Sequence, residues 1–170
     1  MRTRINQNNK EQIFCEWRHR WVRLTPEEWI RQQLLHRMVS EGGYPASLIA
    51  VEVPLEKLSI VNSQFSINQR CDAVVYANLP SLQGEELCSI ERPVDGHRTS
   101  QGRLSPLMLI ECKAETVPLT QKTLDQAITY NRKLNVPYLL LSNGAQTICI
   151  DGNNNYSSGF PRYTDLLRCE

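Results

Sequence analysis

Asp72 and the triplet Glu111-Cys112-Lys113 are the residues best placed to do chemistry. Both sets sit at the ends of apolar runs. Asp72 lies near the start of Arg70-Cys-Asp-Ala-Val-Val-Tyr, and Leu107-Met-Leu-Ile leads straight into Glu111. Side chains alternate across a strand, so Glu111 and Lys113 share a face. Antiparallel pairing of the two runs would set Asp72 beside Glu111, and two carboxylates and an ammonium would converge at a strand end. Two carboxylates, with backbone and water oxygens, are the donor set that Mg²⁺ prefers. Such an ion polarises a phosphodiester and helps make hydroxide from water. The lysine would orient the attacking water and stabilise charge in the transition state. The same residues also fit a plainer reading, a Glu–Lys pair standing in solvent at a strand end.

Other elements must hold these groups in place. Thr25 suits a helix N-cap, Pro26 the first turn and Glu28 the third position of a capping box, while Gly42-Gly43 closes the helix. Apolar residues at 30, 34, 35, 38 and 39 form a helical stripe, which predicts a helix over 26–40. Strands are predicted over 47–53, 70–76, 106–113, 137–142 and 145–150, with loose alternation over 55–67 continuing the first as a hairpin. A second helix over 120–134 buries Leu124, Ala127, Ile128 and Leu134. It also places Gln126 and Tyr130 one turn apart on one face. The expected fold is α/β (α+β), a mixed central sheet flanked by helices in the order α-β-β-β-α-β-β. One domain is expected, with its core over 24–150, a long polar insertion at 77–105, and terminal extensions at 1–20 and 151–170.

The blocks Leu24-Thr-Pro-Glu-Glu-Trp-Ile-Arg-Gln, Arg70-Cys-Asp-Ala-Val-Val-Tyr, Leu109-Ile-Glu-Cys-Lys-Ala, Asp125-Gln-Ala-Ile-Thr-Tyr-Asn and Leu141-Ser-Asn-Gly carry a resemblance. Their order of acid, Glu-x-Lys and Gln-x-x-x-Tyr resembles the PD-(D/E)xK nuclease superfamily. More closely, they resemble the N-terminal domain of type I restriction enzyme R subunits in its short stand-alone form, over roughly 12–150. The resemblance implies a restriction-endonuclease-like core and Mg²⁺- or Mn²⁺-dependent cleavage of DNA. Asp72 and Glu111 would bind the metal with the carbonyl of Cys112, and Lys113 would be the catalytic lysine. Glu28 would approach from the first helix, directly or through water. Gln126 and Tyr130 would orient DNA or active-site side chains. Arg31 and Arg70 would contact phosphate or hold carboxylates, and Glu52 is an extra candidate acid.

The sequence departs from that family in two places. Asn68-Gln69 stands where a further basic residue is usual, and 77–104 is far longer than the usual turn. No P-loop or helicase motif is present, so there is no ATP site and any ATP-driven step would belong to a motor or specificity partner. A homodimer is the other partner this reading allows.

Composition narrows the classes further. With 41% hydrophobic and 22% charged residues the chain is neither disordered nor a coiled coil. A net charge of +1 excludes a histone-like basic coat. The first 37 residues are locally basic, with eight Arg or Lys against four Glu. There Arg18, Arg20 and Arg23 lie among Trp17, His19 and Trp21, which reads as a phosphate-contacting patch or as an amphipathic lead-in with snorkelling arginines. The six cysteines show no Cys-x-x-Cys spacing, and Cys71, Cys112 and Cys149 fall in strand-like runs as reduced core thiols. No apolar run is long enough to span a bilayer and the amino end lacks a signal-like apolar region, so the cytoplasm is the expected location. The rival functional class is a nucleic-acid-binding or assembly module of the same fold without turnover.

Overall fold

A computed structural model describes residues 1–58, 70–79 and 103–167. Its centre is a six-stranded mixed sheet whose strands lie side by side in chain order: β4 (Ile49–Pro54), β5 (Arg70–Leu79), β6 (Arg103–Cys112), β7 (Tyr138–Ser142), β8 (Thr147–Asp151) and β9 (Tyr156–Ser158). All neighbours are antiparallel except β6 and β7. That one parallel pair needs a crossover, which the helix α2 (Gln121–Leu134) supplies. The expected mixed α/β architecture is therefore what the chain adopts.

Each helix covers one face of the sheet. The helix α1 (Pro26–Gly42) buries Ile30, Leu34, Leu35 and Met38 against Ala73, Val75, Met108 and Ile110. On the other face Leu124 and Leu134 of α2 pack with Val74, Leu109, Leu139 and Leu141. Central strands buried on both faces read as unbroken apolar runs, which is why Leu107–Ile110 and Leu139–Leu141 were legible without alternation. Thr25 caps α1 by accepting a hydrogen bond from the Glu28 amide at 3.1 Å. Gly43, at φ 70, ends it in the left-handed conformation. Only half of the expected capping box forms, because the Glu28 carboxylate is engaged elsewhere.

Several elements differ from the sequence expectation. Residues 3–23 form a three-stranded antiparallel sheet, β1 (Thr3–Ile5), β2 (Glu11–Cys15) and β3 (Arg20–Arg23), rather than a lead-in segment. Ile13 and Cys15 point inward and are buried. On this sheet Arg2 and Arg4 stack over Phe14 and Trp21, and the two rings meet edge to face. The carboxyl end adds β9 and the short helix α3 (Tyr163–Leu166), whose Tyr163 and Leu166 enter the core. Leu55–Lys57 is a 3₁₀ turn, and the rest of the expected 55–67 hairpin lies outside the described residues. Strands β5 and β6 run into the expected insertion from both ends, while 80–102 lie outside the described residues. Cys15, Cys71, Cys112 and Cys149 are free and buried. Burial pushes the Cys71 thiol up to about 12 and the Cys149 thiol up to about 11, so both remain protonated.

Candidate active site

The site forms where β5 begins and β6 ends. Ala73 pairs with Ile110 in the antiparallel register. Asp72 follows just beyond that last pair, close enough for its charge to act on Glu111. The Cys112 amide donates to Asp72 Oδ2 at 2.7 Å, so the carboxylate takes a main-chain donor at the end of the strand. The other oxygen, Oδ1, accepts from Arg31 Nη1 at 3.0 Å.

Glu111 and Lys113 project to the α2 side, as alternation requires. Lys113 Nζ lies 3.6 Å from Glu111 Oε2, and both side chains remain partly open to solvent. They line a cleft of about 420 Å³ with Arg70, Thr123 and Gln126, over a floor that includes Leu109 and Leu141. Burial, and then the charge of Asp72, push the Glu111 carboxyl up to about 7 against the pull of Lys113. Glu111 can therefore hold or release a proton near neutral pH.

On the α1 side lies an ionic network that the spacing of motifs did not reveal in full. Glu28 is almost completely buried and accepts from Arg18 Nη2 at 2.5 Å, from Gln32 Nε2 at 2.7 Å, and from Arg31. Burial raises its pKa, but the hydrogen bonds from Arg18, Arg31 and Gln32 outweigh that and hold it below the ordinary 4.5. Arg18 Nη1 also reaches Glu52 Oε1 at 2.6 Å, and Arg31 Nη2 reaches the same oxygen at 3.4 Å. Two arginines thus serve three carboxylates, Glu28, Glu52 and Asp72. The link from Glu28 to Asp72 runs through Arg31.

Glu52 itself is held in an unusual backbone state, with φ 52 in the middle of β4. The pairing jumps from Val51–Ala73 to Val53–Cys71 across it. Such a conformation costs an L residue about 1–2 kcal/mol and persists only where its surroundings dictate it. Arg70, exposed at the cleft rim, donates to the Glu52 carbonyl at 3.3 Å. Gln126 is exposed on the α2 wall of the cleft. Tyr130 follows one turn along α2, and its side chain lies outside the described residues. Arg18 is the residue that sequence reasoning misplaced: it is neither a phosphate-contacting group nor a snorkelling surface arginine, because its side chain is 11% exposed and ion-paired. It sits in the turn between β2 and β3, and nothing local in the sequence tells which helix that turn meets.

Among the described residues, no three His, Cys, Asp or Glu side chains gather as a metal-binding group. A divalent ion at the strand ends would rest on the carboxylates of Asp72 and Glu111 together with main-chain oxygen. Those donors are all hard oxygens, which fits Mg²⁺ or Mn²⁺ rather than zinc.

A family model for the type I restriction enzyme R protein N terminus (HSDR_N) matches residues 26–164. The chain belongs to that family. The HSDR_N match takes in α1 and every strand of the central sheet, and it carries Glu28, Asp72, Glu111 and Lys113. It begins after β3, so the amino-terminal sheet with Arg18 lies outside it. No curated protein and no solved structure matches the chain. Among the described residues no helix is long and apolar enough to cross a membrane.

Proposed function

We propose that this HSDR_N domain hydrolyses phosphodiester bonds of DNA with the help of Mg²⁺ or Mn²⁺. The observation that carries the reading is the closeness of Asp72 and Glu111 at adjacent strand ends, with Lys113 3.6 Å from Glu111 at the rim of an open cleft. Membership of a restriction enzyme family gives that arrangement its natural substrate class.

Asp72 and Glu111, with the Cys112 carbonyl, would hold the cation, which supplies Lewis-acid polarisation of the phosphate and lowers the pKa of water. Arg31 and the Cys112 amide fix the Asp72 carboxylate before substrate arrives, so little reorganisation is left for the reaction. Lys113 orients the attacking water and offsets the charge that grows on the phosphoryl oxygens. Arg70 and Gln126 on the cleft rim contact the DNA backbone. Glu28 does its work through Arg31. Motor and specificity subunits of a restriction system are the partners this reading implies, and they would supply any ATP-driven step.

The reading is tested by Mn²⁺ calorimetry together with cleavage of plasmid DNA. The expected result is Mn²⁺ binding that weakens about tenfold or more in Glu111→Gln and in Asp72→Asn, the loss of one hard carboxylate ligand. Equal affinity in wild type and both variants would overturn the ligand assignment.

A further inference from the structure

We propose that the amino-terminal sheet is a working part of the catalytic site: Arg18, carried on the β2–β3 turn, is a positioning residue that keeps Arg31 on Asp72. The idea deepens the nuclease reading, and its test also has a readout that does not depend on cleavage.

Glu28, Glu52 and Asp72 all draw on Arg18 and Arg31. Arg18 serves the first two and leaves one arm of Arg31, Nη1, for Asp72. A planar guanidinium can bridge two carboxylates in this way because its donors are fixed in a fork. Arg18 is itself largely buried, so its charge is directed at these partners and not at solvent.

Remove Arg18, and Arg31 is the cation left among the described residues to face all three acids. Glu28 is the most deeply buried of them and cannot stay ionised without a partner. It therefore claims Arg31, and Asp72 loses the contact to Oδ1. Asp72 is then tethered only by the Cys112 amide, and that hydrogen bond loosens with it. Glu52 supplies a second, independent sign that the clamp is under tension. Its carboxylate is gripped by Arg18 at 2.6 Å and its carbonyl by Arg70 at 3.3 Å, while its backbone sits at φ 52.

The Cys112 amide reports directly on Asp72, so amide hydrogen exchange tests the proposal. In Arg18→Met, Cys112 is expected to exchange about tenfold faster or more, the effect of weakening one charge-assisted hydrogen bond. Ile110 and Leu140, deep in the same sheet, should keep their wild-type protection. If Arg18 merely staples the amino-terminal sheet, Phe14 and Val22 will loosen while Cys112 stays as in wild type, and the proposal falls. Should Arg18→Met fail to fold, Arg18→Lys decides the matter. A lysine keeps the charge but reaches only one of the two carboxylates, so Cys112 should show a smaller acceleration; unchanged protection there overturns the proposal as well. Where the wild type cleaves DNA, Arg18→Met should lose about tenfold in kcat with KM near wild type, because a buried arginine positions Asp72 and does not bind the substrate. A wild type that never cleaves would sink the nuclease reading alone, since the exchange result still decides the role of Arg18.

Discussion

Glu111 shows how a single side chain combines structural cost with chemical use. Burial and the nearby Asp72 charge lift its pKa from 4.5 to about 7. A carboxyl raised on folding stabilises the protein while protonated, and that contribution disappears as the pH rises from 4.5 through 7. In metal-free buffer Glu111→Gln should therefore stabilise the fold at about pH 8 by about 1 kcal/mol, a figure discounted because the group is one-third exposed, and by nothing at about pH 4. Urea midpoints at the two pH values check this, and an equal effect at both would contradict the raised pKa. Glu28 behaves in the opposite way. Its pKa is held down by Arg18, Arg31 and Gln32, and Glu28→Gln strands two buried guanidinium groups. That substitution should cost about 3–5 kcal/mol in urea unfolding, the penalty for breaking a buried ion pair from one side. Asp72 and Glu111 stood out in the sequence because each puts a charge inside an apolar strand, and Lys113 because it follows directly on β6. The Arg18 contacts did not, since they join residues that only the packing of a turn on a helix brings together.

At the level of elements, the sequence spoke most clearly where local chemistry and burial agree. Thr25, Pro26 and Gly43 bracket α1 and Thr120 opens α2, and the two apolar stripes point where the sheet lies. The amino-terminal strands were illegible because their short alternation is blurred by arginines lying over aromatic rings on the open face. Strand β9 was illegible because all three of its residues are exposed, which leaves no hydrophobic pattern to read. The β7–β8 turn offers a test of how α1 is seated. Gly144 has φ 86, and a Cβ there would come within 3.2 Å of Ile30 Cγ1 on α1. Gly144→Ala should cost about 1–2 kcal/mol from the left-handed backbone alone, with further strain from Ile30. Thermal unfolding measures it, and a neutral result would mean that the turn or the helix readily gives way.

For the whole molecule, charge and cleft together set how DNA should bind. A net charge of +1 leaves attraction to a few placed cations, with Arg70 and Lys113 at the cleft. A fourfold rise in salt is expected to weaken binding about tenfold, the slope of two neutralised phosphates. Arg70→Ala should reduce that slope by about one, and an unchanged slope in a fluorescence titration would remove Arg70 from the interface. The central claim is that the paired strand ends form a hydrolytic site, and it is tested most directly by cleavage. Linear, nicked, supercoiled and single-stranded DNA would be incubated with Mg²⁺ or Mn²⁺, using wild type beside Lys113→Ala. The account predicts metal-dependent cleavage by wild type and a loss of about a hundredfold or more in Lys113→Ala, the scale of removing one transition-state donor. Equal cleavage by both proteins, or DNA binding without turnover by either, would contradict it.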